Sequence, residues 1–143
     1  MSRAARLVPV LALAFALTLG LWTLFGPTYV TCRSGTVRPG EVSTTSTCET
    51  ANLVTVQRDQ LFPAPLLWIA GWSLAPALAV IGTRSGSKAF ALGMTSLAFA
   101  IDAMSIISMG GGFVYALGVA PLLLLTLVLI AREDVDSARA ALG

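Results

Sequence analysis

Four apolar stretches holding a single charge between them decide what this chain can fold into. They run from about Leu7 to Phe25, Leu61 to Gly82, Ala89 to Met109 and Phe113 to Ala131, and the charge is Asp102. A helix crosses a hydrocarbon core about 30 Å thick with roughly 20 apolar residues. Each stretch is therefore one span. Of the 143 residues 56% are hydrophobic and 11% are charged, against about 25% charged in an ordinary soluble domain. So few charges could not cover a soluble core with a polar surface. The expected fold is an all-α membrane protein: one integral domain over 1–143, a four-transmembrane-helix bundle with the lipid bilayer as its solvent.

The spans end at breakers. Gly26-Pro27 stops the first, the turn from Arg84 to Lys88 joins the second to the third, and Gly110 to Gly112 turns the third into the fourth. After Ala131 the sequence Arg132-Glu133-Asp134 returns the chain to water, and the tail to Gly143 reads as a continuation of the fourth helix. Arg3, Arg6, Arg84, Lys88, Arg132 and Arg139 fall on one side of the membrane; Arg33, Arg38 and Arg58 fall in a longer loop on the other. Basic residues concentrate on the cytoplasmic side, so both termini are expected there, in a plasma or inner membrane, with loop 26–60 outside. The first apolar run exceeds the 7–15 residues of a signal h-region and lacks a small-x-small site after it. It reads as a retained anchor.

Loop 26–60 changes abruptly to threonine, serine, valine and turn residues. Residues 28–33 and 44–50 read as strands, with Arg38-Pro39-Gly40-Glu41 as a type II turn between them. A hairpin centred near Gly40 sets Cys32 opposite Cys48. Outside the cell such a pair persists as a disulfide, contributing about 3 kcal/mol in the chain-entropy description. A two-stranded hairpin alone is marginal in water, so a staple makes sense. A redox-active pair is the alternative, but it calls for C-x-x-C spacing and further cysteines that the chain does not have. Residues 52–57 could add a third strand.

Four spans with a disulfide-bearing β-loop after the first resemble the claudin-like architecture in topology. That family carries Gly-Leu-Trp in its loop just before the first cysteine, whereas Gly20-Leu21-Trp22 here lies inside the first span. The second outer loop is only glycines. The resemblance therefore implies a shape and carries no function.

Lipid gives helices no hydrophobic drive to associate, so small residues mark where they meet. The first span offers Ala12, Ala16 and Gly20, the second Gly71, Ala75 and Ala79, the fourth Gly112, Ala116 and Ala120. The third offers two series. One is Gly93, Ser96, Ala100 and Ala103; the other is Ala91, Thr95, Ala98, Asp102 and Ser105, at heptad steps. Phe90, Leu97, Ile101 and Met104 form a bulky stripe suited to lipid. Two contact faces make the third helix the expected most enclosed one. Pro76 is expected to kink the second.

Asp102 asks for a special explanation, because an aspartate at a helix centre costs about 2.5–3.5 kcal/mol on insertion scales. No lysine or arginine inside the spans can pair with it, so the carboxyl is expected neutral, as a hydrogen-bond donor. At 1.5 Å per residue it lies roughly 10 Å below the outer boundary. The same depth holds Thr18, Trp68 and the turn near Pro121. Pro121 has no N–H for the Leu117 carbonyl, which makes that carbonyl the expected acceptor. Thr95 and Ser105 share the Asp102 seam; with Ser73 and Thr126 they are the sparse polar residues of the bundle.

No P-loop, nucleophile elbow, metal-ligand cluster or dinucleotide turn is present, and histidine is absent altogether. No catalytic residue, cofactor or metal is expected. The net charge of +2 is too small and scattered for nucleic acid. The expected function is that of a non-enzymatic multi-pass membrane protein acting by association, an accessory or assembly subunit with a membrane-protein partner or in a homo-oligomer. The alternative is a small proton- or cation-coupled transporter or channel centred on Asp102. A third possibility is a surface module whose hairpin binds an extracellular partner.

Overall fold

The first helix is set by its two ends. Ser2 caps it, accepting the Ala5 N–H at 3.2 Å, and Gly26 closes it by donating to the Trp22 carbonyl at 2.7 Å before turning to extended backbone. The result is α1, Arg3–Phe25. The computed structural model describes residues 2–34, 46–107 and 112–142. After α1 come β1 (Tyr29–Ser34), β2 (Ser46–Ala51), the short α2 (Leu53–Val56), α3 (Ala64–Arg84) and α4 (Lys88–Met104), which runs on into a 3-10 turn at Ser105–Ile107. The fourth span is built from α5 (Phe113–Gly118) and α6 (Ala120–Leu142).

Four helical segments are long and apolar enough to cross a membrane: Arg3–Phe25, Ala64–Arg84, Lys88–Ile107 and Phe113–Glu133, with mean hydropathies of 2.2, 1.7, 1.8 and 2.6. Pro63 and Pro65 stand at the start of α3, where a missing N–H costs nothing. Ser87 caps α4 by accepting the Phe90 N–H. Gly86 takes φ +79° in the turn between them, a conformation glycine adopts without strain. The fourth span breaks at Val119, whose carbonyl accepts from both Leu122 and Leu123. Pro121 follows in the first turn of α6, where a proline is tolerated. Beyond the apolar run α6 continues to Leu142, as the tail's sequence suggests.

α1 packs on α3 and α6, and α4 packs on the same two helices. Alanines make the core between them: Ala12 and Ala16 of α1, Ala79 of α3 and Ala98 of α4 meet Trp72, Tyr115, Val119 and Leu123. Towards the basic end Ala5, Ala91 and Ile130 form a second cluster. The bulky apolar side chains point outward, as Leu7, Leu11, Phe15 and Leu21 do along α1. This is the reverse of a soluble bundle, and it fits a protein held together by close backbone approach in lipid.

β1 and β2 pair antiparallel with Cys32 opposite Cys48, and the two are joined in a disulfide. The register inferred from the turn is the one observed. The turn itself, Arg38 to Glu41, and Gly110-Gly111 lie outside the described residues. The third strand does not form. Asn52 instead accepts the Thr55 N–H at 2.8 Å and starts the helical turn of α2; a good N-cap offers the backbone a local alternative to a ladder.

Candidate functional site

Steps of four and three residues place Ala91, Thr95, Ala98, Asp102 and Ser105 on one face of α4, and all five are buried. The Thr95 hydroxyl donates to the Ala91 carbonyl one turn back, at 2.7 Å. The Ser105 hydroxyl lies 2.5 Å from the Asp102 carbonyl oxygen and 2.7 Å from that of Gly112, so it ties the end of α4 to the start of α5. The Asp102 carboxyl is different. It is completely buried, and neither oxygen has a hydrogen-bond partner. The expected bond to the Leu117 carbonyl is absent.

The other three spans each bring an oxygen to one point, the Tyr115 hydroxyl. Tyr115 of α5 is buried, and its hydroxyl lies 3.0 Å from the Ser73 hydroxyl of α3, a pair in which either can donate. Thr23 of α1 also reaches the Tyr115 hydroxyl. The Thr23 hydroxyl itself donates to the Leu19 carbonyl at 2.8 Å. Asp102 is near enough to Tyr115 to interact with it electrostatically. Gly20 makes the convergence possible: a Cβ there would collide with the Ser73 hydroxyl and stand 3.2 Å from that of Tyr115. Trp72 packs against the Tyr115 ring at 5.8 Å between centroids. Asp102 lies five residues before Ile107, about 8 Å along the axis from the hairpin end of its span.

Of the expected site residues, Thr95 and Ser105 share the buried face of α4 with Asp102, and the two picked out at matching depth, Thr18 and Trp68, are not at this site. Thr18 is exposed and bonds the Ala14 carbonyl of its own helix. Two residues along an α-helix are about 200° of rotation, so Thr18 faces away from the side where Gly20 meets Ser73. Trp68 is 63% exposed and only edges the site through Trp72, at 5.9 Å. Depth fixes a level in the bundle and says nothing of azimuth. Tyr115 and Thr23 are the residues that sequence reasoning passes over. Gly20 at the end of the α1 small-residue series was the available signal for Thr23, one turn further on.

A second site-like feature lies on the outside of α4. Gly93, Ser96 and Ala100 are exposed, and a Cβ at Gly93 would meet nothing within 4 Å. The expectation that both small faces of α4 are enclosed is thus corrected: the chain covers one. Gly71 of α3 is likewise open. The outer face of α4 continues into an apolar groove against the fourth span, lined by Phe99, Ala103, Ala116, Ala120, Pro121 and Leu124. Among the described residues no three His, Cys, Asp or Glu gather as a metal site would need. At the opposite end of the bundle the Ser2 N–H donates to Glu133 at 2.5 Å, holding the start of α1 to α6. No family model, curated protein or solved structure matches the chain.

Proposed function

We propose that this chain is a non-enzymatic multi-pass membrane protein that works by association, as an accessory or assembly subunit that receives a transmembrane helix of a partner protein on the outer face of α4. The observation that carries this reading is the small-residue face from Gly93 to Ala100, which no helix of the chain covers. Its neighbour on the same helix, the stripe of Phe90, Leu97 and Met104, is bulky and exposed, as a lipid contact should be. A smooth face beside it suits another backbone. From Gly93 to Ile106 the face and its groove extend about 20 Å along the helix, enough to seat most of a crossing helix.

In this reading the basic end is cytoplasmic and the hairpin lies outside a plasma or inner membrane. Arg3, Arg6, Arg84 and Arg132 are exposed at the first end. Trp22, Phe25, Phe62 and Trp68 are exposed at the second, where an interfacial aromatic belt would stand.

The test is purification of the tagged chain from its own membranes in mild detergent. A stoichiometric membrane protein is expected with the wild type and with Ile81→Leu on the exposed side of α3, and it should be lost from Gly93→Leu/Ala100→Leu while the bundle still melts normally. Retention of the partner by that double variant, or a chain that emerges alone and monomeric, would overturn the proposal. Self-association lost in the same variant would make the occupant a second copy.

A further inference from the structure

We propose that the cluster of Thr23, Ser73, Tyr115 and Asp102 is a proton-binding site, with the Asp102 carboxyl as the group that takes up and releases the proton. This goes beyond association and does not depend on it. Three arrangements make a buried carboxyl tolerable: a cation beside it, several N–H donors around it, or a bound proton. The first two are missing here. Neither Asp102 oxygen has a partner, and the groups packed about the cluster are Thr23 and Gly20 from α1, Ser73 and Trp72 from α3, Tyr115 from α5, Leu123 from α6 and Ser105 beside Asp102 itself. None is a cation, and Tyr115 is the one titratable group among them.

The surroundings also suit transfer. The Ser73 and Tyr115 hydroxyls can exchange donor and acceptor roles across their 3.0 Å contact, and Thr23 stands beside Tyr115 within two residues of the end of α1. The cluster lies about 8 Å from the hairpin end of α4, and the four apolar stretches hold no other charged residue. In release, the O–H bond of the carboxylic acid breaks and its proton passes to water, leaving the carboxylate; uptake is the reverse. No other bond is made or broken. Neither Asp102 oxygen is bonded to these hydroxyls, so the carboxylate left by release is stabilised only when one of them turns towards it, since an unpaired buried charge is costly.

The carboxylic C=O stretch of a protonated aspartate reads this directly. Infrared spectra of the full chain in lipid nanodiscs, labelled with 13C-carboxyl aspartate, should show a protonated-acid band from a shielded carboxyl at low pH. The band should vanish with a single midpoint as pH rises, over a range in which the helices stay folded. It should be missing from Asp102→Asn. Tyr115→Phe, which keeps the ring and removes one hydroxyl, should move the midpoint by about half a unit to one unit. Should Asp102→Asn fail to fold, the label and the Tyr115→Phe shift still decide the matter. A band that persists at every pH where the chain is folded would mean a locked structural proton and overturn the proposal. So would a band that appears only when sodium and potassium are withdrawn, which would make the ligand a cation.

Discussion

The two faces of α4 are made of the same kinds of residue at the same steps, and the chain treats them oppositely. Ala91, Thr95, Ala98, Asp102 and Ser105 are buried against the other spans, whereas Gly93, Ser96 and Ala100 look outward. Small residues at helical spacing state how closely a helix can be approached. They do not state by what. The inner face carries Asp102, the one charged residue of the four apolar stretches, and the outer face has no polar group beyond Ser96. The first is built around a site and the second around a surface.

The largest contrast should come from filling each face. Ala98 is completely buried, so Ala98→Leu overpacks the core and should destabilise the bundle by about 1–3 kcal/mol or more. Ala100→Leu, two residues away on the outer face, should stay within about 0.5 kcal/mol. Denaturant titration in detergent measures both, and equal losses would break the comparison.

A subtler pair is Gly82 and Gly93. A Cβ at Gly82 would stand 2.9 Å from that of Met94 and 3.1 Å from the Ala91 Cα, where α3 and α4 come closest. Gly82→Ala should therefore cost about 1–2 kcal/mol by forcing the helices apart. Gly93→Ala meets only open space and should be neutral or stabilising by up to about 1 kcal/mol, since alanine is the better helix former. The difference in sign is the result to look for in thermal melts.

Within the polar cluster, Ser73→Ala removes the hydroxyl that faces Tyr115 and should cost about 0.6 kcal/mol, the usual value for an interhelical hydrogen bond in a membrane protein. Thr18→Ala should change least, staying within about 0.5 kcal/mol, because that hydroxyl only bonds its own helix. A Thr18 effect larger than the Ser73 effect would put the site on the wrong side of α1.

Much of this was legible in the residues. Hydropathy located the four spans, and the turn centred near Gly40 put Cys32 opposite Cys48. The seam from Ala91 to Ser105 could be read from its heptad steps alone. What could not be read was azimuth between helices. Thr18 and Trp68 are at the right level and face elsewhere, while Tyr115 is marked by no motif or spacing and meets Ser73 only because α3 and α5 converge. The seam's twin on α4 shows the same limit from the other side. Its pattern suits a contact, and no helix of this chain makes it. The local competition at Asn52 was likewise hidden, because residues 52–57 suit a strand by composition and a capped helical turn by their first side chain.

The central claim is that the outer face of α4 receives another helix. The chain's two cysteines are joined in the disulfide and none is free, so Ser96→Cys introduces a single reactive thiol at the middle of that face. A photo-crosslinker attached there and activated in native membranes should give one discrete adduct with a second polypeptide. The same reagent on Ile81→Cys, exposed on α3, should give lipid adducts alone. Equal protein crosslinking at both positions, or none at Ser96→Cys, would contradict the account.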